Sequence, residues 1–313
     1  MKFVHYVGSF YICILEERYL STISTKSMLQ GNKQYQELSV REGVYIPDVG
    51  IEYPTDDPYK KLVPVRKVKD ISFDGNYSYL DDSFLFKIRH ITVDFIVFVL
   101  LFIVNKFVYG IRYNGRNILR KYRKEFSNGV ISICNHCYKY DGAAVSQAFR
   151  RHIWTPMLKE HLAGNDSWLL RNFGGIPVPD NYAGLKKFNE AFDELHRRKQ
   201  WILVFPEARN WYFYKPVKPF MKGAFTMAYK YDVPILPVNI SYRERTGIFR
   251  LFARKEIPLL KLTIGEPIFP DKTHSRKEEV DRLLCESHTA ICEMAGIEHN
   301  PWPALREEAQ DSK

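Results

Sequence analysis

The amino-acid sequence predicts an α/β fold, a mostly parallel central sheet flanked by helices, with an N-terminal extension and a membrane-associating helix ahead of it. Three observations lead there. Beyond Asn128, short apolar runs with β-branched residues alternate with stretches of helical period, the pattern of βαβ units. Upstream lies one strongly apolar run, 91–111. Before that run the chain mixes aromatics, prolines and charges with no sustained period.

Residues 1–85 form the extension, expected to be irregular with short strands because Pro47, Pro54, Pro58 and Pro64 punctuate it. No secretory signal is expected: the mildly apolar start runs into Glu16, Glu17 and Arg18 without a small-residue cleavage site. Residues 86–125 hold the apolar helix and a basic linker. Asp94, Asn105 and Lys106 interrupt the run, and its unbroken core, 95–104, is about half of the ~20 residues a spanning helix needs. An interfacial or re-entrant helix is preferred to a span, and a buried core helix stays open. Lys87, Arg89, Lys106, Arg112 and Arg116 flank the run and suit an anionic cytoplasmic leaflet.

The main domain is expected over 126–305. Strands are predicted at 129–134, 153–158, 176–178, 201–205, 234–240 and 259–264. Helices are predicted at 142–151, from the second strand to about Phe173, and at 183–198, 222–231 and 278–294. Leu185, Phe188, Phe192 and Leu195 share one face of the 183–198 helix, a core stripe. The tail 306–313 reads as solvated.

A net charge of +10 favours partners with negative surfaces. Nucleic acid is not expected, because no helix-turn-helix, zinc-finger or RNP-type signature appears and the basic residues cluster beside an apolar run. Five scattered cysteines do not form a disulfide framework and fit a reducing, cytoplasm-facing location. Cys134 and Cys137 make a lone C-x-x-C without further ligands at zinc spacing, so no metal is expected.

The candidate chemistry lies at 135–141, Asn-His-Cys-Tyr-Lys-Tyr-Asp. His136 follows a strand by two residues and Asp141 precedes a helix by one. Inside one continuous helix, positions five apart would not meet. Across a strand-to-helix turn they can. Asp141 would then sit at the helix N-terminus, where a carboxylate is favoured, and accept the Nδ1 proton of His136, leaving Nε2 as a base.

Asn135-His136-x4-Asp141 resembles the N-H-x4-D block of the glycerolipid and lysophospholipid acyltransferases. Three further blocks follow in order. Phe205-Pro206-Glu207 looks like that family's F-P-E-G block. Pro219-Phe220-Met221-Lys222-Gly223-Ala224 is similar to its P-F-K-x-G-A continuation, and Val233-Pro234-Ile235-Leu236-Pro237-Val238 to its V-P-I-x-P-V block. The resemblance covers about 128–270. It implies an O-acyltransferase of phospholipid biosynthesis at the cytoplasmic face of the cell membrane. His136 would be the general base and Asp141 its orienting partner. It implies no bound cofactor, with acyl-CoA or acyl-carrier protein as the acyl thioester donor and a membrane lipid as acceptor. Glu207, Arg209, Lys218, Lys222 and Gly223 become candidate substrate-binding residues, with Glu207 either orienting the acceptor's hydroxyls or pairing with Arg209. No G-x-S-x-G elbow is present, which disfavours a serine acyl-enzyme.

Two departures bear on the acceptor. Ala208 stands where the F-P-E-G-x-R pattern has glycine, and Arg209 lies two residues after Glu207 rather than three, with Asn210 in the arginine's place. The stretch 175–181 lacks the arginine that often grips phosphate. Phosphate binding would lean on Arg209, Lys215, Lys218 or Lys222, the alternative for these lysines being a solvated loop. The aromatics at 211–214 suit an acyl-chain groove or an interfacial contact. A glycolipid or other non-phosphate acceptor, or a catalytically silent lipid-binding protein, stays in play.

Overall fold

The computed structural model describes residues 33–62, 70–164 and 166–305. The readings of the first residues as lacking a secretory signal, and of 306–313 as a solvated tail, lie outside the described residues. In chain order the elements are α1 (Lys33–Glu37), β1 (Ser39–Val40), α2 (Phe84–Phe107), β2 (Arg112–Asn114), α3 (Arg116–Lys121), β3 (Val130–Cys134), α4 (Asp141–Phe149), β4 (Thr155–Met157), α5 (Lys159–Leu162), α6 (Ser167–Asn172), β5 (Gly175–Pro177), α7 (Tyr182–Arg197), β6 (Trp201–Val204), α8 (Gly223–Tyr231), β7 (Ile235–Arg243), β8 (Leu259–Ile264), α9 (Arg276–Ala295) and β9 (Ile297–His299).

The run of apolar residues in β3 is buried along its whole length, as expected for a strand covered on both faces. It sits between β7 and β6 in a five-stranded sheet of order β2-β8-β7-β3-β6. β3 pairs in parallel with both neighbours, and β2 pairs in parallel with β8. Within this sheet, among the described residues, the β7–β8 pairing is the antiparallel one. A parallel bridge from Trp154 to Ile202 attaches the β4–β5 pair beyond β6. Alternation along β3 divides the core. Val130 and Cys134 face a cluster with Val145 and Ala148 of α4, whereas Ile131 and Ile133 face Phe192, Phe225 and Leu283 of α7, α8 and α9. The fold class is therefore the one the sequence predicts.

Several boundaries differ. The apolar helix begins at Phe84 instead of 91, because Ser83 caps it by accepting a hydrogen bond from the Phe86 N–H, and it ends at Phe107. The helix predicted up to about Phe173 is two short ones, α5 and α6; Gly164, a poor helix former, falls in the break. The described part of 33–83 is mostly irregular but packs closely: Tyr53 joins Trp211 and Tyr214 in a buried aromatic cluster, and its hydroxyl donates to the Tyr212 carbonyl.

Among the described residues α2 is the one helix long and apolar enough to cross a membrane. It is two-sided. Val93, Val97 and Leu101 pack on Ala143 of α4, with Leu169 and Phe173 beside them. Phe84, Ile91, Phe95, Phe102 and Ile103 point outward and are exposed. Asn105, the polar interruption of the run, is fully buried and has partners: its amide donates to Gln147, and its oxygen accepts from the Tyr138 hydroxyl.

Candidate active site

β3 delivers the chain to the mouth of the sheet, where Asn135 ends the strand. Its buried side chain behaves as one more backbone unit. The amide donates to the Ile240 carbonyl at 3.0 Å and the oxygen accepts the Ile240 N–H at 2.7 Å. That two-point tie fixes the strand end against β7. Asn210 donates to the Tyr138 carbonyl, and the Phe213 N–H to the Cys137 carbonyl, so the turn is held from its other side.

Within that frame His136 Nδ1 lies 2.5 Å from an Asp141 carboxylate oxygen, a charge-assisted distance. Asp141 opens α4 and is buried, and its other oxygen accepts the Gly142 N–H. A buried carboxylate at a helix N-terminus stays favourable as an anion. The His136 ring is one-fifth exposed and stacks on Phe205 with centroids 4.3 Å apart, and Nε2 faces away from the carboxylate. The sequence-predicted pair thus meets across the strand-to-helix turn.

The other candidates take different places. Glu207 is buried and accepts from the His136 backbone N–H, and its carboxylate lies 3.7 Å from the ammonium of Lys218. It does not pair with Arg209, whose guanidinium sits 3.5 Å from Glu160. Burial raises the Glu207 pKa to about 7 against the opposing pull of Lys218 and His136, and burial lowers Lys218 to about 8. Lys218 also donates to the Arg209 carbonyl and lies 4.5 Å from the Trp211 ring centre. Lys215, equally buried, donates to the Ala295 carbonyl. Neither lysine belongs to a solvated loop. The aromatic cluster around Trp211 and Tyr214 covers the segment, and both ammonium groups turn inward to fixed acceptors. Lys222 pairs with Asp281 of α9 at 2.7 Å, and Gly223 begins α8. Ala208 adopts φ +60, a left-handed conformation. The glycine of the F-P-E-G pattern is missing, but the backbone shape that glycine favours is kept.

Sequence reasoning placed a helix over α5 but did not bring its residues to the site. Glu160 lies beside Arg209 and Lys61. Desolvation, with the proximity of His136, lowers the His161 pKa. Cys134 and Cys137 are buried, and burial raises both thiols. Among the described residues no group of three or more His, Cys, Asp or Glu is placed to hold a metal.

A family model described as Acyltransferase matches residues 110–241. Among solved structures, the crystal structure of the 1-acyl-sn-glycerophosphate (LPA) acyltransferase PlsC from Thermotoga maritima is similar. It has 20% identity and a TM-score of 0.43, covering 69% of this chain and 85% of that chain. Comparison with curated protein sequences found no match. The stretch 110–241 that matches the Acyltransferase model contains the His136–Asp141 pair, the β3 strand end that holds it, and Glu207.

Proposed function

We propose that the protein moves a fatty acyl group from an acyl thioester to a hydroxyl of a lysophospholipid or glycerol-phosphate-type acceptor at a membrane surface. The observation that supports it most is the 2.5 Å His136–Asp141 contact at the mouth of a parallel sheet. Asp141 holds the Nδ1–H tautomer, so Nε2 takes the acceptor's hydroxyl proton. The oxygen attacks the thioester carbonyl, the carbon–sulfur bond breaks, and the departing thiolate recovers the proton from His136. No acyl group passes through the protein. Phe205 fixes the ring plane, and Glu207 fixes the His136 backbone from beneath.

Arg209 and Lys61, partly exposed around Glu160, are the cations that would take an acceptor phosphate. The donor is coenzyme A or acyl-carrier protein, and the exposed face of α2 brings the site to the cytoplasmic leaflet. A second reading, a non-phosphate acceptor such as a glycolipid, is favoured by one observation: Arg209 and Lys222 are each engaged by a carboxylate. An acyl-transfer assay over lysophospholipid and glycolipid acceptors, read by mass spectrometry, separates the two. His136→Ala is expected to abolish transfer with the fold intact. Near-normal turnover in that variant would sink the mechanism.

A further inference from the structure

A cleft of about 430 Å³ lies away from the dyad, between α2 and the C-terminal end of α4. Arg116, Arg150 and Arg151 line it, with Phe98 and Phe102 of α2. Arg150 follows α4 by one residue and Asp141 opens it. The nine intervening steps put the two ends roughly 13 Å apart, so this is not the acceptor site beside His136.

The charges in the cleft do not balance. Its single acid, Asp94, is taken by His152, whose Nδ1 lies 3.0 Å away. Arg116 donates to the Gln147 and Ala148 carbonyls, answering the negative end of α4. Arg151 lies over the Trp201 ring. Among the described residues no carboxylate pairs with Arg150 or Arg151. Desolvation and the charge of Arg150 lower the Arg116 pKa. The apolar wall comes from the same helix whose outer face carries Phe95 and Ile103.

We propose that this cleft binds the phosphate of an anionic phospholipid through Arg150, Arg151 and Arg116, with the acyl chains running along Phe98 and Phe102. Planar guanidinium groups match phosphate oxygens two at a time, and a chain lying on α2 stays continuous with the bilayer. The inference rests on the reading that α2 lies at a membrane.

The test uses the full chain in three arms: vesicles of neutral phosphatidylcholine, the same vesicles with phosphatidylglycerol, and inorganic phosphate in solution. The variants are Arg150→Gln and Arg150→Lys. Lys186→Glu, at an exposed position of α7, reports diffuse electrostatics, and circular dichroism confirms each fold. Arg150→Gln is expected to lose about tenfold in affinity for the anionic vesicles, the scale of one charge-assisted pair, and nothing on neutral ones. Arg150→Lys is expected to retain part of it. Arg150-dependent binding of inorganic phosphate assigns the cleft to phosphate at large; its absence alongside the vesicle effect assigns it to lipid. If Arg150→Gln binds every probe as the parent does, or loses no more than Lys186→Glu, the proposal is overturned. A parent that binds neither vesicle overturns the membrane reading instead, and the phosphate arm then decides the cleft alone.

Discussion

At the scale of single residues, the dyad depends on a tautomer. Asp141→Asn keeps size and position but offers His136 an amide, which cannot enforce Nδ1–H. Acyl transfer is expected to fall by about 10²–10⁴-fold with little change in folding, measured as initial rates beside an unfolding curve. Beneath the dyad, Lys218 is the ion that makes a buried Glu207 tolerable. Lys218→Met leaves that carboxylate without its cation and is expected to cost about 1–2 kcal/mol at pH 8. The sign is set by Glu207, whose folded pKa is raised and rises further without its partner. Near pH 4 the carboxyl is protonated in folded and unfolded chains alike and the cost is small. Both folded chains keep it protonated until about pH 7, where the parent's carboxyl ionises beside Lys218 and the variant's resists, so the deficit opens above that point. Denaturant titrations of parent and variant at pH 5 and pH 8 check it; an equal deficit at both would rule out this account. His136 and Asp141 were legible in the sequence because the turn geometry they need is local. The fate of Lys215 and Lys218 was not, because their acceptors, the Ala295 and Arg209 carbonyls, are brought to them by tertiary packing.

At the scale of elements, strands that run through the core announced themselves, since continuous β-branched burial leaves a mark in sequence. α2 was half legible. Its apolar run was plain, but its two sides were not, because its exposed residues and its buried residues are both apolar. What separates them is spacing: Val93, Val97, Leu101 and Val104 form the buried stripe. Removing the helix would therefore tear Asn105 from Gln147 and Tyr138 and expose the core beneath. Substitution of the outer face is the cleaner test. Ile91→Glu with Phe95→Glu is expected to release the protein from vesicles without lowering its unfolding midpoint by more than about 2–3 °C. Continued sedimentation with vesicles would move the principal membrane contact elsewhere.

At the scale of the whole molecule, α9 closes the sheet and carries a pH sensor for stability. His288 is buried against Phe220, and burial lowers its pKa to about 4. The folded chain keeps the ring neutral while the unfolded chain protonates it below about 6.5, so stability is lost as pH falls from there toward 4. About two and a half units correspond to roughly 3 kcal/mol. His288→Leu is expected to flatten that acid limb in thermal unfolding curves taken across the window. The larger consequence comes from the inner stripe of α2. A helix packed on the catalytic domain from Phe86 to Asn105 cannot also stand upright across a bilayer, because its partners α4 and α6 would have to follow it into hydrocarbon. Under the proposed function it is expected to lie flat, dipping one side into a single leaflet. Catalysis as proposed would then be a two-dimensional encounter: turnover is expected to follow the mole fraction of acceptor in the leaflet, and diluting that leaflet with inert lipid to slow the protein even when the total amount of acceptor in the tube is unchanged.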